Sequence, residues 1–479
     1  MITERATAKS PFTAVIGHVG LLAAGPVVTY LTLFHTAATA AVAVAACFVI
    51  VVWRRPDMAL LMLLGLIPGV AAVHPSGSML YVIVFGAVGL LIFRVTMIRL
   101  RVGLGLILVL LMACAVTLNC LLSRSFSPEH QWKGCALLLA GLGLLAASIV
   151  EPPNPRRIAQ VMGGAGTGIA GYLLMRGEYV SDRLTGLGLN PNYVGAFMAL
   201  SVVATVGMAR FHRPWVWLLP AAVCAFALLE TRSRAAFLMA AAGLACLLLV
   251  GRPLRYTVLA GLTIFVSAEA LPETVDSVGD GLTGSRTSTE LTMNTEVRKR
   301  AAALAMRIAL DHPVHGIGYD MFPEYARASP TLGVYINTHN DYLRLAAETG
   351  IVTLALLAAL LWLGLARRYT DSYSVLQALC VSFAVGLLFA NTLTSFVVSA
   401  SFWISLGCLL AHSLHQRTDR FLLSFHNVRK LECSTVKPKS IRASVLPLAA
   451  IGSDSGNSST KNASHSHESR WSRFSEPPT

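Results

Sequence analysis

Three clusters in this sequence bring together side chains able to handle an anion and a proton. Thr231-Arg232-Ser233-Arg234 sets two guanidinium groups in a tight turn between two apolar runs. A planar guanidinium grips phosphate through parallel hydrogen bonds. Arginine at a membrane boundary also snorkels to headgroups, so residue type alone leaves both readings open. Arg298-Lys299-Arg300 is a second cluster, and it reads equally as a solvated helix face. The third is Asn337-Thr338-His339-Asn340-Asp341-Tyr342. His339 stands just before an expected helix, whose positive end would lower the imidazole pKa and keep it neutral, ready to accept a proton. A lone loop histidine can equally be structural. Gly316-Ile317-Gly318 is either a turn or a place where backbone N–H groups approach an oxyanion. The glycine-rich run 163–171 lacks the Lys-Ser/Thr ending of a phosphate-binding loop, and Gly164 with Gly168 reads as a helix-packing GxxxG.

The elements that must position these residues follow from composition. Of 479 residues, 55% are apolar and 13% are charged, against the ~25% charge of a soluble domain. A soluble multidomain enzyme and a disordered scaffold are both excluded. The apolar runs are continuous and helix-length, where a β-barrel would show short alternating segments. The fold class is therefore an all-α polytopic membrane protein. Net charge is +14, from 38 Lys+Arg against 24 Asp+Glu. In a soluble chain that excess would suggest nucleic acid; here it reads as cationic loops held on the cytoplasmic side, with no nucleic acid partner. Eight of the nine cysteines sit in apolar runs and none forms a CxxC pair, so neither a disulfide framework nor a metal site is implied.

Cutting the apolar runs at charges and turn residues gives spans near 12–33, 36–53, 58–73, 79–93, 102–122, 134–150, 158–175, 191–209, 215–229, 235–250, 256–270, 350–366, 374–392 and 396–413, or about 12–14 transmembrane helices. With the N-terminus inside, every short inner loop carries at least two arginines: Arg54/Arg55, Arg94/Arg99/Arg101, Arg156/Arg157, Arg210/Arg213, Arg252/Arg255 and Arg367/Arg368. Arg124, Lys133, Arg176, Arg183, Arg232 and Arg234 fall outside. Both termini read as cytoplasmic, and no cleavable signal peptide is evident. Residues 416–479 form a cytoplasmic tail, largely disordered. The one large hydrophilic insertion, 271–349, is external. Within it, 296–310 carries a helical stripe of Val297, Ala301, Leu304 and Ile308, with Arg298, Arg300 and Arg307 off that stripe. Residues 340–348 form a second helix. A loop with amphipathic helices can pack on the bundle and cover a cavity.

Four blocks taken in order resemble the bacterial O-antigen ligase/polymerase superfamily: Arg183-Leu184-Thr185-Gly186 with Asn190-Pro191-Asn192; Thr231 to Arg234; Arg298 followed by Asp311 to Gly318; and Thr338 to Arg344 with Glu348-Thr349-Gly350. The resemblance covers roughly 183–351. Ala302, four residues after Arg298, departs from the aromatic residue usual in the family. The resemblance implies a GT-C-like glycosyltransferase that is independent of metal and needs no cofactor. It would take a glycan from a polyprenyl (undecaprenyl) diphosphate carrier at the periplasmic face of the inner membrane. It assigns the donor diphosphate to Arg234 and Arg298, with Arg232 and Arg300 as the alternatives within each pair, and the reacting centre to His339. Arg183, Asn192, Gly316, Gly318, Asn340 and Asp341 would support the site, and Asp320, Glu324 or Asp341 could stand in as base. Arginine would hold the leaving diphosphate where negative charge builds up.

The implied organisation is 1–182 as N-terminal transmembrane helices, 183–351 as the ligase-like core, 352–415 as C-terminal transmembrane helices and 416–479 as tail. The short outer loop 175–190 favours a ligase acting on lipid A–core over a polymerase of O-antigen or exopolysaccharide, or a protein O-oligosaccharyltransferase. From another class, a lipid-linked glycan transporter would show internal repeats and charges at mid-membrane, and neither is visible.

Overall fold

A backbone surrounded by lipid must close its hydrogen bonds within its own segment, so apolar runs become helices. The computed structural model describes residues 48–73, 78–97, 103–123, 128–212, 214–249 and 288–413. The spans at 12–33 and 256–270, the start of 36–53, residues 271–287 of the long loop, Arg99, Arg101, Arg124, Arg213, Arg252, Arg255 and the tail lie outside the described residues. In chain order the helices are α1 (Pro56–Val73), α2 (Ser78–Thr96), α3 (Leu104–Leu122), α4 (Pro128–Val150), α5 (Pro155–Arg176), α6 (Pro191–Phe211), α7 (Pro214–Glu230), α8 (Arg234–Leu248), α9 (Ser288–Asp311), α10 (Phe322–Ala328), α11 (Asp341–Thr349), α12 (Ile351–Leu365), α13 (Asp371–Gly386) and α14 (Phe396–Ser413). Among the described residues, α3, α4, α5, α6 and α14 are long and apolar enough to cross a membrane. The chain is a helical polytopic membrane protein.

Helix starts follow from capping chemistry. Proline opens α5 and α6, behind Asn154 and Asn190, whose side chains accept backbone N–H groups of the first turn. Helix α6 is buried over nearly its whole length, packed by α5, α7, α8 and α13. Small residues allow the close approach: a Cβ on Gly166 would sit 2.1 Å from the Ser201 hydroxyl, and one on Gly207 2.7 Å from Val375. The expected GxxxG pair does not do this. Gly164 and Gly168 have nothing within 4 Å of a Cβ, and the packing falls to Gly163 and Gly166 on the opposite side of α5. At the periphery, Leu110, Leu118 and Leu121 of α3 and Trp215 and Leu219 of α7 are exposed, as lipid-facing side chains should be.

The long loop has its own small core of Ala301, Ala305, Ile308, Ile317, Met321, Phe322, Ala326 and Ala347, with Leu304 only partly buried. The buried face of α9 is therefore turned towards its alanines. Val297 and Leu304 are half-buried and Ala301 and Ile308 buried, so the expected stripe is the packed side of α9, and Arg298 is exposed off it. Arg300 and Arg307 remain on the exposed side.

Two further features depart from expectation. An antiparallel hairpin pairs β1 (Glu178–Val180) with β2 (Arg183–Thr185) through Ser181 and Asp182, both at positive φ. The span expected to reach 392 ends as helix at Gly386, and 387–395 is irregular apart from a 3-10 turn at Thr392–Thr394. This segment is buried, and part of its backbone bonds to the long loop: Leu387 C=O accepts the Asp341 N–H at 2.7 Å, and Leu393 N–H donates to the Asp341 carboxylate at 2.9 Å. Non-helical backbone at such depth is tolerated where protein satisfies it.

Helices α8 and α13 run antiparallel. A Cβ on Gly386 would meet Met239, and one on Gly243 would meet Ser382. The start of α8 and the end of α13 therefore share one end of the bundle, together with 387–395 and the long loop. The other end collects Asn154–Arg156, His212, Arg368–Tyr373 and His412. In a cysteine-depleted background, Val314→Cys should react with an impermeant maleimide from outside intact spheroplasts, and Arg157→Cys only after permeabilisation. Labelling of both from the same side would contradict this arrangement.

Candidate active site

Helix α11 carries Asp341, Arg344 and Glu348 at spacings of three and four, so they share one face. That face is buried: Arg344 is 1% exposed and Glu348 0%. Arg344 Nε donates to Glu348 Oε2 at 3.0 Å and Nη2 to Asp320 Oδ1 at 2.5 Å, while Nη1 stands 4.0 Å from Asp341 Oδ1. The guanidinium carbon lies 5.0 Å from the Tyr319 ring centre. Glu348 also accepts the N–H groups of Asp320 and Phe322 at 2.8 and 2.9 Å. Burial raises the Asp341 carboxyl to about 7 against the pull of Arg344 and the Leu393 N–H, and it raises Glu348 in the same direction. Asp320 and Asp341, expected as substitute bases, are thus partners of Arg344. Glu324 lies half-buried in the first turn of α10.

His339 precedes α11 in the left-handed region, at φ +55°. Asn340 caps α11 by accepting the Leu343 N–H at 3.0 Å, and the Thr338 hydroxyl donates to Asn340 C=O at 2.9 Å and to Asn391 Oδ1 at 3.4 Å. The imidazole pKa falls from 6.5 to about 4, first through burial and then through the charge of Arg298. The direction is the expected one, towards a neutral imidazole, with burial as the larger cause and the Arg298 charge as the second. Arg298 is therefore near enough to His339 for its charge to act on the ring. Arg300 instead pairs with Glu296 at 3.1 Å on an exposed face.

The arginine turn is built by a different set. Arg183 Nε donates to Thr231 C=O at 3.0 Å, its Nη2 donates to Asn192 Oδ1 at 2.7 Å, and the Ser233 hydroxyl donates to the same oxygen at 3.3 Å. Arg183 and Asn192 thus hold the turn in shape. Arg232 is half-buried at φ +46°, and Arg234 is exposed in the first turn of α8. The turn and the His339 segment connect through α13, whose last turn packs on Met239 and whose following loop receives Thr338 and Asp341.

Gly316 and Gly318 have a structural task. Their N–H groups donate to His312 C=O and Glu348 C=O at 2.9 Å each, so neither is aimed at an oxyanion. A Cβ on Gly316, at φ +62°, would sit 2.3 Å from the Glu348 carbonyl carbon. Asn119 of α3 donates to Glu348 C=O at 3.0 Å and to His315 C=O, tying this turn to the bundle. Asn119, Asn391 and the Arg344–Glu348 pair were not singled out by sequence reasoning. The signal for the pair was an arginine flanked by carboxylates on one face of a short helix. Breaking a buried ion pair by removing one partner costs about 3–5 kcal/mol. Glu348→Ala should lower the melting temperature accordingly, whereas Glu296→Ala, removing an exposed partner, should leave it within a degree or two. Equal effects in thermal unfolding would contradict the network.

Residues 219–358 match the protein-family model described as O-antigen ligase. No curated protein matches the chain. The matched segment takes in the arginine turn, Arg298, the Gly316–Gly318 turn and all of α11, while Arg183 and Asn192 lie before it. The match spans under a third of the chain and supports its resemblance to the O-antigen ligase-like superfamily, and with it glycosyl transfer of the ligase or polymerase type in general.

Proposed function

We propose that the protein transfers a polysaccharide from a polyprenyl diphosphate to an acceptor hydroxyl on lipid A–core, at the periplasmic face of the inner membrane. The observation that carries this reading is a half-buried His339 whose pKa is lowered and on which the Arg298 charge acts. A base that stays unprotonated at neutral pH beside a cation that can hold phosphate is what this displacement needs. The acceptor oxygen bonds to the anomeric carbon, and the bond from that carbon to the diphosphate oxygen breaks. The electron pair leaves with the diphosphate, its charge held by Arg298 and Arg234. The hydroxyl proton passes to His339. Arg234 fits the donor because a cation at the positive end of α8 is disfavoured unless an anion joins it. The apolar spans would carry the polyprenyl tail. Stabilisation by arginine supplies the role a metal would otherwise fill, so the reaction should proceed in excess EDTA.

The test is transfer by reconstituted protein with lipid-linked donor, followed against pH. The rate should stay level from pH 7 down through 6.5 and fall only towards pH 4, where His339 gains its proton. Arg298→Gln should slow transfer and move that acid limb upward, because the imidazole loses a repelling charge; Arg300→Gln should do neither. His339→Ala should cost on the order of 10²–10⁴ in rate. An acid limb near 6.5 indifferent to Arg298, or near-normal transfer by His339→Ala, would remove His339 from the chemistry.

A further inference from the structure

The end of the bundle opposite His339 contains a cavity of about 640 Å³ between the starts of α5 and α13 and the end of α14. Arg156 and Arg368 both line it. Most of the other described arginines at this end are engaged within the protein. Arg55 pairs with Asp57, Arg94 and Arg210 lie over aromatic rings, Arg157 donates to the Met58 sulfur and Arg367 to Ser413 C=O. Arg156 and Arg368 form no ion pair among the described residues, yet they converge on one cavity from separate elements. Two cations facing the same space repel each other unless an anion sits between them.

The rest of the lining fits one class of anion. Thr370, the residue that opens α13, lines the cavity, so the positive end of that helix lies at it. One wall is aromatic: Tyr373 stacks on His412 with ring centres 4.0 Å apart and on Tyr369 at 6.3 Å. Tyrosine at a span end marks headgroup depth. The volume exceeds that of a bare phosphate and suits one carrying an organic substituent. Asp371 also lines the cavity and is its one carboxylate, so the local charge remains positive. We infer that this cavity binds a phosphate group through Arg156 and Arg368, on the face opposite the transfer site, and that an anionic phospholipid headgroup is the form it takes. None of these residues takes part in glycosyl transfer, so the site is separate from the reading above.

Thermal unfolding of the full chain in non-ionic detergent at low salt tests this, with short-chain phosphatidylglycerol and inorganic phosphate as separate probes. Wild type should be stabilised saturably, and Arg156→Gln/Arg368→Gln should raise the saturation midpoint roughly tenfold or more. Arg157→Gln, a neighbouring charge outside the cavity, should leave it unchanged. Asp371→Asn removes the repelling carboxylate and should tighten binding severalfold, a gain that misfolding cannot imitate. Saturation by phosphatidylglycerol at far lower concentration than by phosphate assigns the site to a lipid headgroup; the reverse order keeps the phosphate site and overturns the headgroup. Equal midpoints for wild type and the double variant with both probes, equal loss in Arg157→Gln, or no tightening in Asp371→Asn would overturn the site itself.

Discussion

A guanidinium cannot be taken out of water without several kcal/mol of desolvation, unless carboxylates and N–H donors surround it completely. Arg344 is such a group, and much of the architecture of the long loop serves to accommodate it. Its partners come from the turn before α10 and from both ends of α11, and Asp341 extends the network to Leu393 beyond α13. One cation cannot neutralise three carboxylates, and burial raises the carboxyl pKa of Asp341 and Glu348 in response. The long loop, the end of α13 and the segment leading into α14 are thus fixed to one another by charge that would be costly to separate.

That rigidity explains how His339 can hold a left-handed backbone conformation, which costs a non-glycine residue of order 1–3 kcal/mol. Thr338, Asn340 and Asp341 are all anchored by hydrogen bonds, so the strained residue between them has one place to be. The same anchoring keeps the imidazole half-buried and within the influence of the Arg298 charge. Position and protonation state therefore share a cause: the network fixes the loop, and the loop fixes the base.

The helical membrane class was legible because lipid leaves an apolar run few alternatives. The motif residues were legible by chemical type, but their roles were not. That Arg298 lies exposed off the stripe of α9 was legible; that its charge would reach His339 from a distant segment was not. For Gly316 and Gly318 a turn and an oxyanion site were both open, and the turn is what forms: their N–H groups meet carbonyls 4 and 30 residues away in sequence, at His312 and Glu348. Arg183 and Asn192 proved to brace the arginine turn. The break after Gly386 had no local signal, since Asp341 stabilises it across the fold. The hairpin at 178–185 was hidden because Ser181 and Asp182 adopt positive φ without glycine.

The central claim is that the arginine turn and the Arg298–His339 pair serve one diphosphate. The most direct measurement is a structure of the full protein with a polyprenyl diphosphate bound. The account predicts guanidinium nitrogens of both Arg234 and Arg298 within about 3 Å of diphosphate oxygens, with His339 on the side where the acceptor must enter. A diphosphate bound elsewhere on the bundle, or touching only one of the two arginines with His339 turned away, would contradict it.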